Sequence, residues 1–228
     1  MLAAMDTLPS PSKIVCIGRN YREHAAELGN AVPAQPIFFL KPPSALVGPG
    51  DAILLPPQSE EVHYEAELAL VIGRRSSWID EHEGLAAIAA FTVLNDVTAR
   101  DLQRADGRFT RAKGFDTFCP VSDARLPGDR WSVDLAGGRI QCFVDGARRQ
   151  DGALADMVFG PAALVAYLSR HMTLMPGDLV ATGTPAGVGA LLPGQRVEVR
   201  LVGADGSALI RLENPVRRRF EEVSAATR

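Results

Sequence analysis

Two glutamates set two residues apart, Glu65 and Glu67 in VHYEAELALVIG, and an aspartate closing AAFTVLND, Asp96, are the side chains of this sequence best suited to holding a cation. In a β-strand the side-chain period is two, so Glu65 and Glu67 face the same way. Ala69 and Val71 continue that face, while Tyr64, Leu68, Leu70 and Ile72 take the other. Both faces are apolar enough to be buried, and an unpaired buried carboxylate costs several kcal/mol or takes up a proton. A divalent cation removes that cost, and an all-oxygen donor set suits a hard ion, Mg²⁺ or Mn²⁺. An edge strand with one polar end and no metal would produce the same local pattern.

Three further features carry possible chemistry. His24 and Glu27 lie three apart in REHAAELG, Arg22 to Gly29, a stretch rich in helix formers. On a helix they share a face, and a carboxylate beside an imidazole raises its basicity and fixes its tautomer, as a general base for water requires. On a solvated surface helix the same pair does nothing. Lys113 in RAKGFDTFCP could balance a developing oxyanion if partly buried, or be an ordinary surface lysine. The glycine-rich TGTPAGVG, Thr182 to Gly189, lacks the Lys-Ser/Thr ending of a phosphate loop. It is either a turn that presents a threonine hydroxyl and backbone N–H groups to a small carboxylate, or a plain hairpin loop. His63, His82 and His171 are scattered without ligand spacing and are expected to be structural.

The elements that would position these residues are short. Lys13 to Gly18 reads as a strand, and Arg22 to Gly29 as a helix of about two turns stopped by Gly29 and Asn30. DEHEGLAAIAA reads as a helix, FTVLND as a strand, and the polar stretch from Val97 to Arg108 as helical or turn-like. Asp145-Gly146 marks a hairpin, and Pro161 opens a helix over 161–172. Many short strands with few short helices predict a β-rich α+β fold, a sandwich or roll, without the βαβ rhythm of a nucleotide-binding sheet. The expected organisation is a leader over 1–12, one catalytic domain over 13–216, and a mixed-charge tail over 217–228 on a frayed helix.

Composition bounds the function without naming it. At 228 residues, 46% hydrophobic and 22% charged, the chain is an ordinary globular protein. Its net charge of −3 argues against a partner bound by neutralising phosphates, so no nucleic acid is expected. Cys16, Cys119 and Cys142 sit singly among apolar residues and predict buried free thiols. Without a membrane-spanning run or a signal-peptide pattern, a cytoplasmic location is expected.

The motifs IGRNYREHAAELG, FFLKPPSAL, VHYEAELALVIG, NDVTARDLQ, AKGFDTFCP and GDLVATGTPAGVG occur in this order from about Lys13 to Pro215. That order resembles the fumarylacetoacetate hydrolase family, most nearly its short single-domain members of acylpyruvate hydrolase type. The resemblance implies a mixed β-sandwich roll, a homodimer, and one Mg²⁺ or Mn²⁺ per subunit. By motif, Glu65, Glu67 and Asp96 match the metal ligands, and His24 with Glu27 the catalytic pair, in a segment that closes over substrate. Lys113 matches the lysine facing the substrate's oxygens. Arg100 and Gln103 match pocket residues, and Thr184 the threonine that holds the pyruvate-end carboxylate. Arg19 and Asn20, in the stretch leading into the lid, would bind substrate as well. The implied reaction is hydrolysis of the C–C bond of an acylpyruvate, such as acetylpyruvate or fumarylpyruvate, to pyruvate and a carboxylic acid. The same centre could instead decarboxylate oxaloacetate or isomerise a 2-hydroxy dienedioate. A non-catalytic keto-acid binder would not need every one of these positions.

Overall fold

The computed structural model describes residues 3–4, 11–27, 29 and 31–220. Its elements are β1 (Ile14–Gly18), α1 (Arg22–Glu27), β2 (Ile37–Lys41), β3 (Ile53–Leu55), β4 (Val62–Tyr64), β5 (Ala66–Ile72) and β6 (Ile88–Asn95). There follow α2 (Arg100–Asp106), α3 (Thr110–Lys113), β7 (Ala124–Pro127), β8 (Arg139–Val144) and β9 (Ala147–Ala153). The chain continues through α4 (Pro161–Ser169), β10 (Leu179–Ala181), β11 (Arg196–Val202) and β12 (Ala208–Arg218). A few two-residue strands and single turns of helix complete it.

The alternating pattern after Glu65 decides the layering. β5 lies inside a seven-stranded mixed sheet, in the order Ala3–Ala4, β7, β6, β5, β10, β1, β2. It is hydrogen-bonded on both sides, antiparallel to β6 and to β10, which excludes the edge-strand reading. Leu68, Leu70 and Ile72 point into the main core against Ile140, Cys142, Val199, Leu201 and Leu212 of a five-stranded sheet, order β9, β8, β11, β12, β3. Each such side chain contributes about 1.5–3 kcal/mol by burial. Ala69 and Val71 face the other way, into a smaller cluster with Ile14, Cys16, Leu94, Cys119 and Leu179. The β-rich α+β sandwich roll is therefore the observed fold.

Local chemistry sets the boundaries. Asp145 and Gly146 both take positive φ, 51° and 78°, as the tight β8–β9 hairpin requires. The helix expected over DEHEGLAAIAA is only Glu81–Gly84 plus a single 3₁₀ turn, because the β-strand claims the chain from Ile88. Here pairing with β5 overrides the helix preference of the alanines. β12 continues through Arg218, where it pairs with Leu55, so the stretch read as a tail begins as strand. Of the frayed helix expected over 217–228, Arg217 and Arg218 are strand instead, and 221–228 lie outside the described residues.

The start of β1 is tied down by Asp178. Its buried carboxylate accepts from the backbone N–H groups of Ser12, Lys13 and Met175 and from the Ser12 hydroxyl, and pairs with the Lys13 ammonium. Burial raises the Asp178 carboxyl, but these donors prevail and hold it below the ordinary range. Cys16, Cys119 and Cys142 are free and buried, and burial pushes the Cys119 thiol up to about 12, so it stays protonated. Among the described residues no helix is long and apolar enough to cross a membrane.

Candidate metal centre and substrate cavity

The pairing of β5 with β6 assembles the acidic cluster. Ala66 opposes Asn95, so one step further Glu65 faces Asp96 across the ladder, and the Asp96 N–H donates to the Glu65 carbonyl at 2.8 Å. Glu67 lies two residues along on the same face. Glu65 itself falls in the break between β4 and β5, where its N–H turns to the Asn95 side-chain oxygen at 2.9 Å. Carboxylate oxygens of Glu65, Glu67 and Asp96 lie within 4.8 Å of one another, and all three residues are at least 96% buried.

Cations are distributed unevenly over the three. Lys113 donates to Glu65 at 2.8 Å and to Asp96 at 2.6 Å, Lys41 donates to the other Asp96 oxygen at 2.6 Å, and Arg100 pairs with Glu65. Burial alone would raise the Glu65 carboxyl, yet Arg100 and Lys113 hold it well below the usual carboxylate range. Burial likewise opposes the Lys113 charge, but Asp96 and Glu65 keep its pKa above the ordinary lysine value. Glu67 has no ion pair among the described residues; it accepts the Gly183 N–H at 2.7 Å. Burial, then the negative charges of Asp96 and Glu65, push its carboxyl well above the usual range. A buried carboxylate facing two others without a cation of its own is the arrangement a divalent ion would complete. With three oxygen donors the set fits a hard ion such as Mg²⁺ or Mn²⁺.

The loop expected to be either a carboxylate-binding turn or a plain hairpin is the hub of the site. It leaves β10 alongside β5. Thr182 bonds the Leu68 carbonyl through both its N–H and its hydroxyl, and Gly183 then turns its N–H to Glu67. Gly183 has φ +95°, and a Cβ there would sit 2.8 Å from the Asn20 Cβ, so glycine is required. The Thr184 hydroxyl donates to the Ala66 carbonyl at 2.9 Å and accepts from Gln150 at 2.8 Å. Gly187 donates its N–H to Glu27 at 3.0 Å, and Glu27 lies 3.1 Å from the His24 Nδ1. One loop thus bonds both Glu67 of the triad and Glu27 of the His–Glu pair.

Several of these groups border a cavity of about 340 Å³. Its lining includes His24, the acidic triad, Lys113, Arg100, Gln103, Thr184 and Arg19 of the residues singled out in the sequence. Phe39 and Phe109, stacked with ring centroids 4.8 Å apart, form an apolar wall, and the Lys113 ammonium lies 4.9 Å from the Phe39 ring centre. Arg19 takes φ +59°, a strained conformation for a residue with a side chain. Arg100 donates to Gln103 at 2.8 Å, leaving its buried Nε without a partner. Glu27 stands behind His24, outside the lining.

Asn20, expected to bind substrate, does not line the cavity. Its amide is used by the main chain, donating to Phe159 and Thr182 carbonyls at 3.0 and 2.8 Å and accepting the Phe159 N–H at 2.8 Å. It anchors the entry to α1 instead. His63, His82 and His171 also lie outside the lining.

The family model described as fumarylacetoacetate (FAA) hydrolase C-terminal matches residues 13–217. The chain belongs to the fumarylacetoacetate hydrolase family. Its relatives within that family differ in activity. The chain is 42% identical over 198 residues to a mitochondrial oxaloacetate decarboxylase of Dictyostelium discoideum, covering 85% of this chain and 90% of that protein. A 5-carboxymethyl-2-hydroxymuconate delta-isomerase structure from Mycobacterium smegmatis shares 38% identity at a TM-score of 0.81, covering 92% of this chain and 80% of the other. A fumarylpyruvate hydrolase from Pseudomonas aeruginosa, solved with Mn²⁺ and pyruvate, shares 32% identity at a TM-score of 0.85, covering 96% and 94%.

Two residues that hold this site together, Lys41 and Gln150, have no such role assigned from the sequence. Lys41 is fully buried on Asp96, and its signal was a lone lysine closing the apolar strand IFFLK in phase with Phe39. Gln150 is buried between Ala66 and Thr184, and nothing in RRQDG marks it.

Proposed function

We propose that this protein is a divalent-metal-dependent hydrolase that cleaves acylpyruvate-type β-diketo acids to pyruvate and a carboxylic acid. The observation that carries the reading is a single cavity lined at once by a buried carboxylate triad, Lys113 and His24 of the His24–Glu27 pair. A cation held by Glu65, Glu67 and Asp96 would supply Lewis acidity to the 2-keto acid end and positive charge against a developing enolate. Glu27 engages the His24 Nδ1, leaving Nε2 to accept a proton from water. The hydroxide so formed adds to the distal acyl carbonyl. Collapse of the adduct breaks the C–C bond, and its electron pair leaves with the pyruvate fragment as an enolate. Lys113, kept charged by Asp96 and Glu65, offsets that negative charge. His24 returns its proton to the enolate carbon, and the remaining proton departs from the new carboxylic acid.

A second reading rests on the Dictyostelium relative. Oxaloacetate losing CO₂ would generate the same pyruvate enolate without an attacking water. Acetylpyruvate and oxaloacetate, supplied in parallel to EDTA-treated protein with and without Mn²⁺, separate the two. The proposal expects metal-dependent loss of the diketo absorbance with equal yields of pyruvate and acetate. Pyruvate from oxaloacetate with acetylpyruvate untouched would overturn it in favour of the decarboxylase; inertness toward both would overturn both.

A further inference from the structure

Lys41 closes β2 two positions beyond Phe39, on the same strand face, and its side chain is wholly buried. Phe39 lines the substrate cavity and Lys41 does not, so the Lys41 ammonium stands behind Asp96, out of reach of anything bound in front of it. There it donates to Asp96 Oδ1 at 2.6 Å and to the Val97 carbonyl at 3.1 Å. Asp96 is its one ion partner among the described residues. A buried ammonium left without its anion is strongly destabilising, so Lys41 is committed to Oδ1.

Lys113 holds the other oxygen on different terms. It donates to Asp96 Oδ2 at 2.6 Å and to Glu65 at 2.8 Å, and it lines the cavity. On releasing Oδ2, Lys113 would keep Glu65; on releasing Oδ1, Lys41 would keep only a neutral carbonyl. The two oxygens of Asp96 are therefore unequal, Oδ1 bound to the interior and Oδ2 on the cavity side, where a cation can draw on it. A divalent ion using both would meet the Lys41 ammonium across Oδ1, and like charges that close repel strongly in a buried site.

This inequality bears on which ion the centre takes. Mg²⁺ is held in a near-ideal octahedron through single oxygens, and Mn²⁺ shares the octahedral habit. Ca²⁺ is larger, takes more oxygens, and draws readily on both oxygens of one carboxylate. We propose that Lys41 is a positioning residue that limits Asp96 to one ligand oxygen and so sets the preference of the centre for a small octahedral ion over Ca²⁺. This rests on the metal-centre part of the reading above and is independent of which reaction follows.

The test is calorimetric titration of EDTA-treated wild type and Lys41→Met with Mn²⁺ and with Ca²⁺. Methionine keeps much of the apolar stem of lysine and drops the charge. Wild type should favour Mn²⁺, and in Lys41→Met the ratio of Mn²⁺ to Ca²⁺ affinity should fall by about tenfold or more, because Asp96 gains a second oxygen for the larger ion. A lysine that serves only the fold would weaken both ions alike; an unchanged ratio, or a wild type without preference for Mn²⁺, would overturn the proposal. Wild type alone supplies a second readout, should Lys41→Met fail to fold. Asp96 is the one aspartate of the triad, so carboxyl-¹³C-aspartate isolates it in infrared difference spectra of Mg²⁺ binding. The separation between its antisymmetric and symmetric carboxylate stretches should widen, the mark of coordination through one oxygen; narrowing, or no change, would overturn the proposal. Binding of none of these ions to wild type would overturn the metal centre itself, and this role of Lys41 with it.

Discussion

Glu67→Gln is expected to lower Mn²⁺ affinity by at least about 100-fold and turnover to background, while leaving the metal-free fold at least as stable as wild type. The two halves have different causes. Glu65 and Asp96 already have protein cations, so Glu67 is the triad member whose buried charge calls for an ion. Glutamine keeps the shape and still accepts the Gly183 N–H, but it carries no charge. Without metal, the buried carboxylate is the costlier group and its replacement removes a desolvation penalty. Titration of EDTA-treated protein with Mn²⁺, with thermal unfolding in both states, reads both halves. Unchanged affinity would remove Glu67 from the metal centre. A large loss of metal-free stability would mean that its carboxylate serves the fold rather than an ion.

His24→Ala should cut acylpyruvate cleavage by about 10²–10⁴-fold with metal affinity unchanged, since the contribution of a positioned general base is of that size. His24 makes no ion pair with Glu65, Glu67 or Asp96; its described ion partner is Glu27, which the Gly187 N–H holds in place. Decarboxylation of oxaloacetate requires no activated water and should fall much less. Parallel rates on acetylpyruvate and oxaloacetate measure the split. Full acetylpyruvate hydrolysis by the variant would remove His24 as the base, and equal losses on both substrates would place it in a step the two reactions share.

Much of this site could be read in the sequence because its chemistry is local. The Glu-x-Glu spacing fixes two carboxylates on one strand face whatever surrounds them, and His24 and Glu27 meet because a helix brings residues three apart together. Asp96 was placed beside them by motif order, and the structure supplies the physical reason, the register of β5 against β6. Lys41 and Gln150 were hidden because their roles arise from pairings far along the chain. Lys41 reaches Asp96 across 55 positions, and Gln150 reaches Thr184 across 34. Asn20 lies outside the cavity lining for a related reason: motif position puts it just before α1, but its short buried amide is taken up by main-chain groups of Phe159 and Thr182. The fold class followed from strand density and turn residues. The early start of β6 did not, because alanine-rich AAIAA carries a helical preference that only pairing with β5 overrides.

Hydrolysis and decarboxylation, the two readings above, both pass through a pyruvate enolate, and forming that enolate is the central claim. The most direct test incubates the protein with pyruvate in D₂O and follows the methyl proton signal by NMR. Mn²⁺ broadens such signals, so Mg²⁺ is the ion of choice. The account predicts deuterium entering the methyl group with Mg²⁺, at a rate well above Mg²⁺ alone, and none after EDTA or in Glu67→Gln. No exchange above the Mg²⁺ control, with pyruvate shown to bind, would contradict it.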